Sequence, residues 1–309
     1  MIKDIKGLHH ITSMASGARE NNAFFTDTLG LRRVKKTVNF DDPNVYHLYY
    51  GDETGTPGSV MTSFPFPNMM RARPGVGEVS ETQFSVPKGA LSFWQDCLTS
   101  KGAGNVRSGT VFGAGSLMFQ GPDGEGFALI EADDVRQGWT GSGIPGSAAI
   151  RGFSGAKFRL HEAAATAELL GFMGYERAET DGNVTRFIIP GGNGADTIDL
   201  EALSGTPHAR QGAGSVHHIA FAVKNREKQL EVRKALMDTG YQVTPVIDRD
   251  YFWAIYFRTP GGVLFEIATN EPGFDRDEDT AHLGEVLKLP ARYEPYRGQI
   301  EAGLQPLAA

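Results

Sequence analysis

Two histidine pairs and one glutamate are the side chains of this sequence that are best suited to metal chemistry. His9-His10 and His217-His218 account for half of the 8 histidines, and each pair precedes a short apolar run that is typical of a strand. Glu266 interrupts an apolar run that follows a glycine-rich turn. Two imidazoles and one carboxylate make the facial triad that binds a divalent metal, most often non-haem Fe(II). The sequence therefore predicts a metal site.

The alternation of side chains along a strand favours the second histidine of each pair as the ligand. Residues 219–223 place large apolar side chains on one face, which should meet a helix, and His218 shares the other face with two alanines. These small side chains leave space for a metal and its ligand. By the same alternation, His10 is the candidate in the first pair. His9 and His217 would lie on the opposite face or reach the site as neighbours that orient the ligands.

A unit of one strand, one helix and further strands recurs four times along the chain. Its first strands are expected to centre on Ile11–Ala15, Thr82–Val86, Ala156–Leu160 and Ile219–Val223. Apolar residues at three- and four-residue spacing predict one helix in each unit, followed by a glycine that suits a left-handed turn. The predicted helices span Ala18–Leu29, Gly89–Lys101, Glu162–Met173 and Glu227–Thr239. The expected fold class is α+β, with four βαβββ modules that form two curved mixed β-sheets, cupped half-barrels with helices outside.

The modules divide the chain into two halves and a tail. Modules 1 and 2 are expected over residues 1–137, modules 3 and 4 over 148–271, and a C-terminal tail over 272–309. Asp133–Ala149 is rich in glycine and serine, which makes it the natural linker between the halves. We expect a short helix over Ala281–Lys288 in the tail, and we expect the aromatic loop Phe64–Met70 to pack between modules.

Alignment of the four modules indicates which of them can supply metal ligands. Five residues before the end of the first strand, the modules carry His10, Glu81, Gly155 and His218. At the position of the glutamate in the closing strand, they carry Thr62, Ala128, approximately Asp199, and Glu266. Only the first and fourth modules offer a histidine. These two modules must therefore meet in space, and the second and third modules would pair with each other.

Composition and charge exclude several classes of protein. The 30 Lys and Arg residues and 37 Asp and Glu residues give a formal net charge of −7, which favours neither a nucleic-acid partner nor an acidic membrane surface. The single Cys97 excludes an internal disulfide framework and is compatible with a reducing cytoplasm. No apolar run is long enough to cross a bilayer, and the first residues lack an apolar leader core. We therefore expect a cytoplasmic protein, with homo-oligomerisation left open.

Two motifs carry a resemblance to a known superfamily. The segments Leu8-His-His-Ile-Thr and Val216-His-His-Ile-Ala-Phe-Ala-Val resemble those of the vicinal oxygen chelate superfamily, which includes glyoxalase I, fosfomycin-resistance proteins and type I extradiol dioxygenases. Together with the four-module length, they fit its ring-cleaving branch. Over residues 5 to 270 the chain resembles the hydroquinone-cleaving dioxygenases. Catechol-cleaving relatives take their first histidine from the third module, where this chain has Gly155.

The resemblance implies a set of ligands and an activity. In the hydroquinone-cleaving group the metal is held by one histidine of the first module and a histidine and glutamate of the fourth, which matches His10, His218 and Glu266. The implied enzyme is a non-haem Fe(II)-dependent dioxygenase, with Mn(II) as the alternative metal, that opens a para-diol ring with O2. Other interpretations are a catechol-type extradiol dioxygenase, a glyoxalase-like lyase or isomerase, and a non-catalytic binding protein. Glyoxalase-like sites usually use a fourth ligand, where this chain has Thr62.

The same resemblance places an arginine and a tyrosine near the substrate. The segment upstream of Glu266 supplies Arg249 and Tyr256 for these roles. Tyr256 would lie directly across from Glu266 if the hairpin loop between their strands has three residues. A loop of two or four residues would turn it away. We therefore expect the implied partners of the reaction to be a small aromatic diol and O2, with Arg249 and Tyr256 beside them.

Overall fold

Residues 1–307, which the computed structural model describes, form sixteen β-strands and five α-helices. The strands are β1 (Ile5–Ala15), β2 (Arg32–Val38), β3 (Tyr46–Gly51), β4 (Val60–Pro65), β5 (Glu78–Pro87), β6 (Gly104–Val111), β7 (Ala114–Gln120), β8 (Gly126–Ala132), β9 (Gly152–Leu160), β10 (Glu176–Asp181), β11 (Val184–Ile188), β12 (Thr197–Ala202), β13 (Val216–Val223), β14 (Ile247–Asp248), β15 (Phe252–Arg258) and β16 (Leu264–Pro272). The helices are α1 (Ala18–Ala23), α2 (Leu91–Ser100), α3 (Ala164–Phe172), α4 (Arg226–Asp238) and α5 (Arg297–Gly303).

The strands form two mixed sheets of eight strands each. The order is β14-β15-β16-β13-β1-β4-β3-β2 in the first sheet and β10-β11-β12-β9-β5-β8-β7-β6 in the second sheet. The first sheet thus combines modules 1 and 4, joined by the antiparallel pair β1 and β13, and the second sheet combines modules 2 and 3. This pairing confirms the consequence drawn from the ligand alignment. The two sheets share one apolar core, in which the rings of Phe158 and Phe265 lie 5.7 Å apart.

Each module contains the predicted helix after its first strand. The glycines that follow these helices have φ values of 68°, 75°, 98° and 93°, as expected for left-handed turns. The first helix differs from the prediction, because α1 ends at Ala23 and Phe24–Thr28 continue as a π-helix. Phe24 and Phe25 are both buried, and the wider turn brings these consecutive rings into the core.

The strand register confirms the alignment of the four modules. Within each module the first strand runs parallel to the last, and the residue two positions after the aligned site pairs with the aligned residue of the last strand. These pairs are Thr12 with Thr62, Gln83 with Ala128, Lys157 with Asp199, and Ala220 with Glu266. The position assigned approximately to Asp199 is therefore the equivalent one. Equivalent side chains occupy equivalent places in both sheets.

The C-terminal tail does not form the helix predicted over Ala281–Lys288. Only the 3₁₀ turn Thr280–His282 overlaps that range, and the chain then runs beside β2, where Leu287 bridges to Lys36. Gly284 has a φ of 74°, and a Cβ atom there would lie 2.1 Å from the carbonyl oxygen of Arg33. This close approach to the sheet replaces the helix, and α5 follows later in the tail.

The tail packs against the first sheet on the face that carries Tyr49. Phe274 and Leu283 of the tail are buried in a cluster with Tyr49 and Tyr251. The Lys35 side chain is fully buried, and its Nζ atom lies 2.6 Å from Asp277 and also pairs with Glu278 of the tail. The division of the chain into residues 1–137, 148–271 and 272–309 stays a prediction, since each sheet draws strands from both halves. Among residues 1–307, no helix has the length and apolar character needed to cross a membrane.

Candidate metal centre

The three predicted metal ligands lie side by side in the middle of the first sheet. His10 is on β1, His218 on β13 and Glu266 on β16, and these three strands are adjacent. Ala220 pairs with both His10 and Glu266, so all three ligands emerge on one face. All three side chains are buried, and their candidate ligand atoms lie within 4.8 Å of one another. The structure therefore brings together segments that are some two hundred residues apart.

The spacing of the three ligand atoms fits one cation. His218 Nε2 lies 2.9 Å from Glu266 Oε2, His10 Nε2 lies 3.4 Å from the same oxygen, and the two Nε2 atoms are 3.3 Å apart. Ligands held at right angles about 2.1 Å from one cation would lie about 3.0 Å apart. Neither carboxylate oxygen of Glu266 has a partner with hydrogen-bond geometry among residues 1–307. A buried carboxylate in this state is costly unless a cation neutralises it, so the residues fit a divalent metal.

His9 fixes the orientation of the His10 ring. Burial, helped by the nearby His10, lowers the pKa of His9 to about 3, so this imidazole is neutral and carries one hydrogen. That hydrogen is on Nε2, which donates to the carbonyl oxygen of Thr269 at 3.1 Å. His9 Nδ1 must then accept from His10 Nδ1, 2.9 Å away. His10 Nε2 is left with a free lone pair that faces His218 and Glu266.

The second histidine pair repeats this arrangement. His217 Nδ1 lies 2.8 Å from His218 Nδ1. This contact leaves His218 Nε2 directed at His10 and Glu266, and we call these three residues, His10, His218 and Glu266, the ligand triangle. Burial and the nearby His218 lower the pKa of His217 to about 4, so it is also neutral near pH 7. The location of His9 and His217 beside the ligands agrees with the expectation that they orient them. Their roles in a reaction stay predictions.

The electrostatics of the ligand triangle suit a cation. Burial lowers the pKa of His218, so its imidazole is neutral. Desolvation would raise the pKa of Glu266, but the facing His10 and His218 outweigh it and hold that pKa well below its usual range. The His218 imidazole is therefore neutral and lies beside an ionised carboxylate. Such a site has the protonation states that metal binding requires.

Tyr256 and Arg249 lie beside the ligand triangle. Tyr256 pairs directly with Glu266 across β15 and β16, because the hydrogen bond from Thr259 N to Val263 O closes the three-residue loop that this placement needs. Burial raises the pKa of Tyr256 well above its ordinary value, so the phenol is neutral. Arg249 Nε donates to the Tyr256 hydroxyl at 3.2 Å. Arg249 Nη1 lies 3.6 Å from the exposed Asp41, so the guanidinium can also receive an anion from the cavity.

A cavity of about 440 Å³ opens in front of the triangle, and we call it the metal cavity. Arg249 and Asp41 stand at its polar side. The rest of its wall is mainly apolar and aromatic, with Met14, Phe40, Phe64, Phe66, Phe252 and Leu264. The loop Phe64–Met70, expected only to pack between modules, thus also lines this cavity. The volume and the aromatic wall suit a small aromatic molecule.

Four further polar residues at the site were missed from the sequence. Thr12, Thr62, His47 and Tyr49 are buried and form a hydrogen-bonded chain that starts at His218. One signal could have found Thr62 and its strand neighbours Thr12 and Tyr49, because Thr62 aligns with Glu266. Alternation then places its neighbours across β1 and β3 on the same face.

Comparison with known proteins places the chain in a family. Residues 167–267 match the Glyoxalase/Bleomycin resistance protein/Dioxygenase superfamily. The chain is 43% identical over 310 residues to MhqO of Bacillus subtilis, which is named as a ring-cleaving dioxygenase, and the match covers 99% of this chain and 98% of that protein. It is 34% identical to the chlorohydroquinone/hydroquinone 1,2-dioxygenase of Sphingobium indicum, with 96% of this chain and 95% of that protein covered. The chain belongs to the ring-cleaving dioxygenases of this superfamily.

Solved structures support the same family assignment. A Bacillus subtilis protein whose crystal structure is described as that of a dioxygenase superposes with a TM-score of 0.95 at 42% identity, with 98% of each chain covered. Glyoxalase I from Zea mays superposes with a TM-score of 0.64 at 14% identity over 86% of this chain and 92% of that one, which shows a shared fold. The predicted fold class and the predicted family of ring-cleaving dioxygenases are therefore confirmed. The ligand triangle is the candidate site for the metal that a ring-cleaving reaction would need.

Proposed function

We propose that this protein is a non-haem Fe(II)-dependent dioxygenase that opens a hydroquinone-type aromatic ring with O2. The observation that carries the proposal is the triangle of His10, His218 and Glu266, whose ligand atoms have the spacing of a single divalent cation. Two imidazoles and one carboxylate leave the open positions that a substrate and O2 require. The relative named chlorohydroquinone/hydroquinone 1,2-dioxygenase supports a para-diol substrate. Mn(II) has similar ligand preferences and is the alternative metal.

Each group around the triangle has a task in this proposal. When bound, Fe(II) would supply the Lewis acidity that ionises a phenol hydroxyl near neutral pH, and it would pass electron density from the aromatic diol, which is oxidised, to O2, which is reduced. The neutral Tyr256 hydroxyl stabilises a developing oxyanion or moves a proton at that oxygen. The Arg249 guanidinium binds anionic oxygen. His9 and His217 orient the two ligand rings, and the apolar wall keeps bulk water from the reaction.

The proposal extends to the setting of the reaction. The net charge of −7 and the single cysteine favour a cytoplasmic enzyme that acts on a small aromatic diol without a nucleic-acid or membrane partner. A homo-oligomer stays open. We keep the division into two double-module halves with a C-terminal tail as part of this proposal, although the sheets themselves join modules across the halves.

Oxygen uptake tests the proposed activity. Apo protein is loaded anaerobically with Fe(II), mixed with methylhydroquinone or catechol, and followed with an oxygen electrode. Uptake with methylhydroquinone is the expected result, and the Glu266→Gln variant treated in the same way should show none. Uptake with catechol alone would assign the protein to the ortho-diol enzymes. No uptake with either diol, together with isomerase activity of a nickel or zinc form, would replace the dioxygenase with a glyoxalase-like enzyme.

A further inference from the structure

A chain of four short hydrogen bonds runs from the metal centre into the first sheet. Thr12 Oγ1 lies 2.8 Å from His218 Nε2 and 2.8 Å from Thr62 Oγ1. Thr62 Oγ1 lies 2.9 Å from His47 Nε2, and His47 Nδ1 lies 2.8 Å from the Tyr49 hydroxyl. The hydrogen-bonded chain therefore connects His218 on β13 to Tyr49 on β3, three strands away in the first sheet.

The strand register brings these residues into line. Thr62 pairs with Thr12 of β1 on one side and with Tyr49 of β3 on the other, so their side chains share the face of the sheet that carries Glu266. Their exposed fractions are 0% for Thr12 and Thr62, 1% for Tyr49 and 8% for His47. In such a dry environment, hydrogen bonds in series polarise and strengthen one another.

The hydrogens of this chain point toward the metal centre. The Thr62 hydroxyl donates to Thr12, so its oxygen must accept the hydrogen of His47 Nε2. Burial lowers the pKa of His47 and raises that of Tyr49, so both groups are neutral. A neutral His47 with its hydrogen on Nε2 accepts at Nδ1, and the Tyr49 hydroxyl donates to it.

One hydroxyl of the hydrogen-bonded chain, that of Thr12, donates its hydrogen to no other member of the chain. The Thr12 hydroxyl oxygen accepts the hydrogen of Thr62. The hydrogen of Thr12 is therefore free to donate to an acceptor at or beside His218 Nε2. A metal that occupies the lone pair of that nitrogen removes it as an acceptor. The Thr12 hydrogen then needs another acceptor beside His218, since an unsatisfied buried hydroxyl is costly.

We propose that Tyr49, His47, Thr62 and Thr12 form a donor chain whose last hydroxyl hydrogen-bonds to an anionic oxygen ligand bound beside His218. Thr12 touches that ligand, and the other three are positioning residues that polarise and hold its hydroxyl. Oxygen anions such as the phenolate of an aromatic diol are the class of ligand that the chain favours. The inference rests on the metal site of the proposed function.

An anion titration tests the chain without turnover. Each protein is loaded anaerobically with Co(II), and azide is added while the visible absorption of the metal is recorded. Thr12→Val keeps the shape of the side chain without its hydroxyl and should bind azide on the order of tenfold more weakly, because a hydrogen bond to a charged group is lost. Thr12→Ser restores the hydroxyl and should stay near wild type. Thr166→Val removes a buried hydroxyl on α3 that has no hydrogen-bond partner among residues 1–307, so it is the matched control.

A second variant tests the residues behind Thr12 in the donor chain rather than the contact of Thr12 with the ligand. Thr62→Val leaves Thr12 in place but removes the donor behind it, so azide affinity should fall by less than in Thr12→Val. The double variant should bind azide no more weakly than Thr12→Val alone, because both changes act through one hydroxyl. Metal content and melting temperature, measured for all variants, report whether the protein is loaded and folded. Thr62→Val also tests the proposal if Thr12→Val does not fold.

Several results would overturn the proposal of a donor chain. Azide binding by Thr12→Val or Thr62→Val as tight as in wild type would do so, and so would an equal loss in Thr12→Ser. Independent, additive losses would show that the residues do not act as one unit. The proposed function fails separately, if the wild-type protein consumes no O2 with a para-diol while the azide pattern holds. Normal O2 consumption together with unchanged azide binding in both valine variants would contradict the donor chain and leave the proposed function intact.

Discussion

The two sheets of this protein have the same architecture but treat buried charge in opposite ways. In the first sheet, the aligned positions hold His10, His218 and Glu266, and the carboxylate faces the two imidazoles. In the second sheet, the equivalent positions hold Glu81, Gly155 and Asp199. Both sheets thus carry buried carboxylates at related places. The difference lies in where their countercharge comes from.

The carboxylates of the second sheet have cationic partners within the chain. Arg186 Nε lies 2.8 Å from Asp199, and Lys157 Nζ lies 3.2 Å from Glu81. The side-chain amide of Gln83 donates to both carboxylates at 3.1 Å. This network leaves no carboxylate of the pair without a partner. A buried ion pair of this kind needs no metal, whereas a cation bound at the triangle would supply the countercharge of Glu266.

The size of a cavity does not indicate where the chemistry takes place. A cavity of about 780 Å³ lies beside the second sheet and is larger than the metal cavity. Its charged residues include Glu81 with Lys157, and Arg159 with Glu78, which neutralise one another. The metal cavity is smaller, and its wall includes His10, His218 and Glu266. The comparison indicates that an unpaired carboxylate, rather than open volume, marks the functional sheet.

Removal of the unpaired carboxylate should have the largest effect. Glu266→Gln should reduce bound Fe(II) from about one per chain to nearly none, because a neutral amide cannot replace the anionic ligand. Oxygen uptake should be lost with the metal. Metal analysis after anaerobic loading and gel filtration measures the result. Glu81→Gln in the second sheet is the matched control and should keep its metal, and equal metal content in the two variants would contradict the comparison.

Disruption of the ion pair in the second sheet should affect stability instead. Arg186→Gln leaves Asp199 buried without its cation and should lower the free energy of unfolding by about 3–5 kcal/mol. Metal content and turnover of the folded fraction should not change. Chemical denaturation measures the loss, and the double variant Arg186→Gln with Asp199→Asn should recover part of it. A variant as stable as wild type but unable to bind metal would reverse the roles assigned to the two sheets.

Tyr256→Phe should separate chemistry from metal binding in the first sheet. The variant should keep its metal, and kcat should fall on the order of 100-fold because a positioned proton donor is lost. Steady-state kinetics with methylhydroquinone, together with metal analysis, measure both properties. Tyr175→Phe removes another buried hydroxyl, which lies outside the metal cavity and has no hydrogen-bond partner in the described part of the chain. This variant should leave kcat unchanged. An unchanged rate in Tyr256→Phe would remove Tyr256 from the mechanism.

Changes at His9 should have the smallest of these effects. His9→Phe keeps a ring beside Phe252 but removes the acceptor for His10 Nδ1, so metal affinity should fall by about 10–100-fold. His9→Asn offers an oxygen in place of Nδ1 and should lose less. Competition with a chelator measures the affinity of each variant. Equal losses in both variants would show that the hydrogen bond to His10 is not the cause.

Local patterns in the sequence were sufficient to select His10, His218 and Glu266 as candidate ligands, and the structure brings these three side chains together. Strand alternation selected His10 over His9 and His218 over His217, because alternate side chains on a strand always face opposite sides. The repeat alignment added Glu266 and required modules 1 and 4 to meet, which the shared first sheet confirms. The placement of Tyr256 followed from one loop length. All of these inferences depend on geometry that is set within a single module.

Features that depend on contacts between distant segments could not be predicted in the same way. His47 joins the site only through the register of β3 with β4, which no repeat-equivalent residue indicates. Lys35 has the sequence pattern of a surface lysine, but the tail residues Asp277 and Glu278 bury it. The helix predicted over Ala281–Lys288 is wrong because the tail packs against β2. Periodicity in the sequence predicts helices and strands, but it does not predict which surfaces these helices and strands pack against.

Anomalous diffraction at the iron edge, from crystals loaded anaerobically with Fe(II), tests the central claim most directly. The account predicts a single strong peak between His10 Nε2, His218 Nε2 and Glu266 Oε2, and no peak beside Glu81 and Asp199. A peak in the second sheet, or the absence of a peak at the His10–His218–Glu266 triangle, would contradict it.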